Sequence, residues 1–205
     1  MGRRDRHGRR SQPDHYSLRA RKEGFAARSI YKLQEIQQRH VVIPVGGRVL
    51  DIGAAPGSWT QFARSIVGPA GLVVAVDLGP LPDLEGLGNV TAIVGDIYDT
   101  TIVEALAARG PFDAVISDAA PRTTGNRTVD TSRSAALVEY VISLCPQLLH
   151  DGGALVAKLY QGGNEQSLIA QIRSQFAMGR LVKPKASRSE SFEVFLVGTG
   201  YNSRV

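Results

Sequence analysis

Four residues stand where their surroundings argue against them. Lys158 follows the apolar run Leu155-Val156-Ala157, and Asp118 follows Ala114-Val115-Ile116-Ser117. Glu193 interrupts Phe192-Glu193-Val194-Phe195-Leu196, and Lys32 lies between Tyr31 and Leu33. Two amines and two carboxylates could together hold a hydroxyl and take its proton as its oxygen attacks an electrophile. Each has a plainer reading alone: a strand lysine snorkels its ammonium to water, and a lone glutamate faces solvent. The chemistry requires a fold that brings the four together.

A second group would hold a ligand. In Val49-Leu50-Asp51-Ile52-Gly53-Ala54-Ala55-Pro56-Gly57-Ser58-Trp59 an apolar strand ends at Asp51, a glycine-rich turn follows, and a helix starts near Ser58. Gly53 and Gly57 let backbone approach a ligand, and Pro56 stiffens the turn. Ala55 stands where the dinucleotide pattern G-x-G-x-x-G has its second glycine, which disfavours a nicotinamide oxidoreductase. A carboxylate at the strand end would repel a pyrophosphate but suits a ligand with an ammonium and a sulfonium, as in S-adenosylmethionine. Asp77 ends the next strand, where it can accept both ribose hydroxyls, and Asp96 ends the third, within reach of an adenine amine. Any one of these carboxylates could simply cap a helix; three at successive strand ends point to a cofactor.

Other chemistries are excluded by what the chain lacks. His7, His15, His40 and His150 are scattered, and no metal site is expected. Cys145 falls among Ile142, Leu144 and Leu148 of a helix, so it packs rather than acting as a nucleophile in cytosine C5 chemistry. The Asp118-Ala119-Ala120-Pro121 stretch does not match the Asn/Asp-Pro-Pro-aromatic sequence of base N-methyltransferases.

The elements that must position these residues follow from periodicity. Ile30, Leu33 and Ile36 predict a helix from Ser29 to about His40. Strands are predicted at 48–52, 72–78, 90–94, 112–117, 154–159, 181–183 and 192–197, and helices at 58–67, 101–109, 132–149 and 164–176. This alternation predicts an α/β fold with a mostly parallel sheet covered on both faces. Only Pro184–Ser191 separates the last two strands, too little for a crossover helix, so the closing strand is antiparallel.

Of the 205 residues, 43% are hydrophobic and 21% charged, as in an ordinary globular domain. No apolar run approaches the roughly 20 residues of a membrane span, and no apolar stretch follows the basic N-terminus as in a secretory signal. One cysteine excludes an internal disulfide, and a cytoplasmic monomer is the expectation. The net charge of +5 lies wholly in residues 1–30, which hold nine Lys or Arg against three acids; the remainder holds fifteen against sixteen. Residues 1–28 therefore read as a basic, partly flexible arm and 29–205 as one catalytic domain. Such an arm attracts polyphosphate, or merely solubilises. Arg180, Lys183, Lys185 and Arg188 form a second basic group; if both groups flank one cleft, nucleic acid is the partner.

The Asp51–Trp59 loop, Ser117-Asp118-Ala119-Ala120-Pro121, Lys158 with Gln161-Gly162, and Glu193-Val194 resemble the FtsJ/RrmJ family of ribosomal RNA ribose 2′-O-methyltransferases. The resemblance runs from about Tyr16 to Gly200, and the family's Lys-Asp-Lys-Glu tetrad falls on Lys32, Asp118, Lys158 and Glu193. It implies a Rossmann-like methyltransferase fold, S-adenosylmethionine as cofactor, and RNA as partner, with a uridine ribose of large-subunit ribosomal RNA as target. It also implies cofactor contacts from Gly57, Trp59, Asp77, Asp96 and Asp118, with Lys158 as proton acceptor. The chain departs from the bacterial pattern at Ala119 and Arg122, where Met and Asn are usual. Transfer RNA or another RNA is the alternative target, and a non-catalytic RNA-binding protein on the same fold is the alternative class. For Lys158, burial would favour the free amine and the nearby carboxylates the ammonium, so a general base and an orienting cation are both open.

Overall fold

The computed structural model describes residues 15–84, 86–188 and 191–203. Its elements run α1 (His15–Lys22), α2 (Ile30–His40), β1 (Arg48–Ile52), α3 (Ser58–Val67), β2 (Leu72–Asp77), β3 (Val90–Val94), α4 (Thr100–Ala107), β4 (Phe112–Ser117), α5 (Arg127–Leu148), β5 (Leu149–Tyr160), α6 (Glu165–Gln175), β6 (Phe176–Val182) and β7 (Glu193–Tyr201). The seven strands form one sheet in the order β3-β2-β1-β4-β5-β7-β6. β1 to β5 pair in parallel, whereas β7 is inserted antiparallel between β5 and β6. This is the α/β architecture that the alternating pattern predicts, with the antiparallel closing strand.

Val73–Val76 of β2 are fully buried because helices cover both faces of the sheet. On one face α4, α5 and α6 pack Leu106, Val138, Ile142, Leu168 and Ile172 against Leu50, Val115 and Leu155. On the other, α2 and α3 pack Ile30, Leu33, Ile36, Trp59 and Phe62 against Val49, Ile116 and Val156. Cys145 lies in the first of these layers, and burial pushes its thiol up to about 12, so it is inert packing.

Several elements depart from the sequence reading; α5 begins at Arg127 rather than Ser132, and β7 runs on to Tyr201. Residues 1–14 of the basic arm lie outside the described residues, but His15–Lys22 is helical, with Ala20 buried and Tyr16 and Phe25 packed on the same layer as Ile30. The Arg19–Glu23 pair (2.8 Å) and the Tyr31 hydroxyl donating to Glu23 (2.8 Å) tie it down. β5 starts at Leu149 rather than Ala154, and β6 starts at Phe176, inside the predicted helix. Long-range pairing overrides local pattern there: Phe176 faces Tyr201 and Gly179 faces Gly198 across the β6–β7 ladder.

The turn after α2 is strained. Val41 caps the helix at φ 47°, ψ 57°, donating its N–H to Gln37 O, while its side chain is 72% exposed. A β-branched residue in the left-handed region costs about 1–2 kcal/mol, and the exposed side chain returns little. Val41→Asn, which tolerates this conformation, should stabilise the fold by about 1 kcal/mol and raise Tm by roughly 2–4 °C. A calorimetric scan showing an unchanged or lower Tm would contradict the strain.

Candidate active site

Strand register sets the site. Ile52 of β1 pairs with Val76 of β2 and Ser117 of β4, and Ser117 pairs with Ala157 of β5. The next residue of each strand, Gly53, Asp77, Asp118 and Lys158, therefore lies at one level along the carboxyl edge of the sheet. The chain winds outward from β1 to β2 and β3, then returns to place β4 on the other side of β1. Such a switch point leaves a crevice for a ligand.

A cavity of about 560 Å³ occupies it, lined by Gly53, Asp77, Asp96 and Asp118 with Ile52, Leu78, Ile97, Tyr98, Ala119 and Leu137. A Cβ on Gly53 would lie 2.5 Å from the Ala119 Cβ, so only glycine lets the two loops meet. Asp77 Oδ2 accepts from Ala55 N and Oδ1 from Gly79 N, both at 3.0 Å, which fixes the carboxylate while each oxygen keeps a lone pair. Asp96 Oδ1 accepts from Tyr98 N at 3.0 Å. Leu78, Ile97 and Tyr98 were not anticipated from sequence, although each closely follows a strand-end aspartate. Leu137 comes from α5, and no local signal marks it. An apolar slot for a purine, with carboxylates for hydroxyls, an amine and an ammonium, fits S-adenosylmethionine.

The other sequence-predicted residues stand behind this cavity. Trp59 is 2% exposed, its ring lies 5.6 Å from that of Phe195, and its indole N–H donates to Ser29 O at 3.0 Å. Its side chain is core, so what it can offer a ligand is its backbone N–H in the first turn of α3. Gly57 takes φ 106° as the cap of that helix, and Pro56 stands in the turn before it. Asp51 is fully buried; Oδ2 accepts from Thr60 Oγ1 at 2.6 Å, while Oδ1 has no partner. Burial pushes its carboxyl up to about 7, the Thr60 bond opposes this, and the charges of Asp118 and Asp77 add to it. Among the described residues no cluster of His, Cys, Asp and Glu could hold a metal.

The four catalytic candidates converge. Lys158 Nζ lies 3.1 Å from Asp118 Oδ1 and also donates to the Asp118 carbonyl. Lys32 Nζ lies 2.5 Å from Glu193 Oε1, with side chains only 11% and 13% exposed. Tyr160, two residues beyond Lys158, pairs in register with Glu193, which sets the two ion pairs side by side. Burial pushes the Glu193 carboxyl up, but the Lys32 hydrogen bond and charge, helped by Ser187 and Lys158, outweigh it and hold it below the usual range.

Arg28 of the arm and Arg188 of the second basic group also meet. Arg28, Ser29, Lys32, Arg188, Ser191 and Glu193 line a second cavity of about 460 Å³ beside the tetrad. Burial and the neighbouring Arg188 charge lower the Arg28 pKa, with Glu193 opposing them. An anion between the two guanidiniums would relieve that repulsion. Lys185 lines the adjoining recess with Arg19 and Arg39, while Lys183 donates to Ser191 O and Arg180 contacts Met178.

Sheet order, strand-end carboxylates and cavity together define an S-adenosylmethionine-dependent methyltransferase. The chain belongs to the FtsJ-like methyltransferase family, whose model matches residues 25–201. It is 46% identical to the ribosomal RNA large subunit methyltransferase E of Syntrophobacter fumaroxidans over 90% of this chain and 94% of that protein. Against the protein of the same name from Treponema denticola the identity is 42%, covering 93% and 96%. A Plasmodium falciparum crystal structure described as a ribosomal RNA methyltransferase superposes with a TM-score of 0.72 at 25% identity, covering 86% and 98%. Aeropyrum pernix fibrillarin, with natively bound S-adenosyl-L-methionine, shares the fold at a TM-score of 0.62 and 16% identity, covering 83% and 76%.

Asp51 gives the site a pH signature. Its pKa is raised from an unfolded value near 3.9, so between about pH 4 and 7 the native chain holds a proton that the unfolded chain releases. Stability from this group is therefore full at low pH and falls, by a few kcal/mol, as pH rises through that window. Asp51→Asn keeps an acceptor for Thr60 and has nothing to titrate. In urea titrations of the cofactor-free protein, the variant should gain on the parent from pH 4.5 to 7.5; parallel profiles would contradict the assignment.

Proposed function

We propose that the enzyme methylates a ribose 2′-hydroxyl of large-subunit ribosomal RNA, at a uridine. The observation that carries this reading is the convergence of Lys32, Asp118, Lys158 and Glu193 at the edge of the cofactor cavity, beside a pocket lined by Arg28 and Arg188. The names of the relatives supply the RNA class.

S-Adenosylmethionine, when bound, supplies a methyl group on an electrophilic sulfonium. Gly53, Asp77, Asp96 and Asp118 would hold it from the cavity, and Pro56, Gly57, Trp59 and Asp51 would shape the turn and its buried charge from behind. A ribose hydroxyl is a weak nucleophile, so its proton must leave as its oxygen attacks. The Lys158 nitrogen has four tetrahedral positions: one is Cε, one is directed to the Asp118 carbonyl, and a third carries the other N–H, with the Asp118 carboxylate at ion-pair distance. In the amine the fourth is a lone pair, and it takes the 2′-hydroxyl proton. The ammonium so formed is the species that both Asp118 oxygens stabilise, so the interaction strengthens as the reaction proceeds. Glu193 holds Lys32, and Lys32 with Arg28 and Arg188 holds the flanking phosphate.

Residues 1–28 serve in this reading as the basic arm that gathers RNA, and 29–205 as the methyltransferase domain. One chain supplies the whole tetrad, which supports action as a monomer. The proposed location is the cytoplasm; no described helix is long and apolar enough to cross a membrane.

Lys158→Ala should lower kcat on unmodified large-subunit ribosomal RNA by ~10²–10⁴-fold, the usual worth of general-base assistance, with cofactor affinity retained. Lys158→Arg keeps a positive charge but cannot deprotonate near neutral pH, so it should not restore the rate. Near-parental turnover by the arginine variant would make Lys158 an orienting cation; near-parental turnover by the alanine variant would remove the tetrad from the mechanism.

A further inference from the structure

Two aromatic rings beside the tetrad belong to no part of the hydrophobic core. Phe192 and Tyr160 are both half-buried, and neither contributes to the apolar layers on the two faces of the sheet. Their ring centroids lie 4.9 Å apart at 60°, and the Arg127 guanidinium carbon stands 5.2 Å from the Phe192 centroid. Each is tied to a catalytic candidate. Tyr160 is two residues beyond Lys158 on the same face of β5, and Phe192 immediately precedes Glu193.

The arrangement is held on both sides. Gln161 N donates to Phe192 O at 2.9 Å, continuing the β5–β7 ladder to the ring. Arg127 opens α5 behind the cap Asn126, and the loop before it is anchored by Asp130, which accepts from Thr124 N, Thr124 Oγ1 and Gly125 N at 2.7, 2.8 and 3.2 Å. A Cβ on Gly162 would lie 2.3 Å from Thr131 Oγ1, so the end of β5 and the start of α5 are in close contact. A guanidinium on an aromatic face is thus presented on a fixed frame against Tyr160 and next in sequence to Glu193.

We propose that Phe192, with Arg127 on its face and Tyr160 at its edge, is a stacking platform for the base of the nucleotide being methylated. The base hangs from the ribose carbon next to the one that bears the 2′-hydroxyl. Once that hydroxyl reaches Lys158, the base must lie close to the tetrad. One flank of the tetrad is the cofactor cavity and another the Arg28–Arg188 pocket, which suits phosphate. The aromatic flank suits a base, because every base offers a π face and a guanidinium plane extends it. A platform of this kind positions a base without reading its edges. The proposal rests on the ribose 2′-O-methyltransferase reading above.

The test uses large ribosomal subunits from a strain lacking this enzyme, with purified parent and variants. Phe192→Leu keeps an apolar side chain and removes the π face; it should raise KM for the subunits by about tenfold, with a smaller change in kcat. Phe192→Trp should return KM to the parental value, and Arg127→Ala should raise it less than Phe192→Leu does. Calorimetry should find the same cofactor affinity in all four proteins. A KM for Phe192→Leu within twofold of the parent overturns the platform while leaving the functional reading intact. A fall in kcat alone also overturns it, since Phe192 would then only support Glu193. A parent that transfers no methyl to these subunits overturns the functional reading, and the platform with it.

Discussion

The Lys158–Asp118 pair exists because β4 gives out at Ser117, level with Ala157 of the longer strand β5. The residues that follow, Asp118 just past the end of β4 and Lys158 still within β5, therefore stand side by side, one bearing a carboxylate and the other an amino group. Both side chains are largely withdrawn from water, at 12% and 19% exposure. Charges in such a place are costly unless each has a partner, and removing one partner strands the other. The same holds for Lys32 and Glu193, which join α2 to the antiparallel strand β7. The site is therefore a set of mutually dependent charges whose spacing is set by sheet register.

The rest of the molecule maintains that register and closes around it. Helices on both faces keep the central strands dry, which gives the ion pairs their strength. The turn of the chain at β1 and β4 opens the crevice in which Gly53 and Ala119 touch. The insertion of β7 between β5 and β6 brings Glu193 opposite Tyr160 and Phe195 opposite Lys158. Without it the second ion pair would have no place beside the first. The described end of the arm is also drawn in: Arg28 donates to Ala186 O at 2.5 Å, next to the loop that carries Arg188.

The sequence was most legible where local chemistry and tertiary role agree. Apolar runs ending in a charged residue marked β1, β2, β4 and β5 and, with them, Asp77, Asp118 and Lys158. The 3.6-residue recurrence of Ile30, Leu33 and Ile36 placed α2 and hence Lys32. Legibility failed where contacts distant in sequence decide. α1 is polar by composition, yet Ala20 and Tyr16 dock on residues that appear later in the chain. Phe176 reads as the end of a helix and instead opens a strand, because β7 pairs with it. Asp51 and Trp59 carry the right residue types for a ligand site, but their side chains point into the fold, a matter of strand parity and helix phase. Phe192 gave no signal, since its partner Arg127 lies on another element.

The central claim is that these charges direct methyl transfer to a ribose oxygen rather than to a base. Alkali cleaves RNA through the free 2′-hydroxyl, so a 2′-O-methylated nucleotide resists cleavage and is recovered within a dinucleotide. Ribosomal RNA labelled by the enzyme with methyl-tritiated S-adenosylmethionine and then hydrolysed in alkali should yield its label in one dinucleotide. Label recovered in a mononucleotide would place the methyl group on a base and contradict the account.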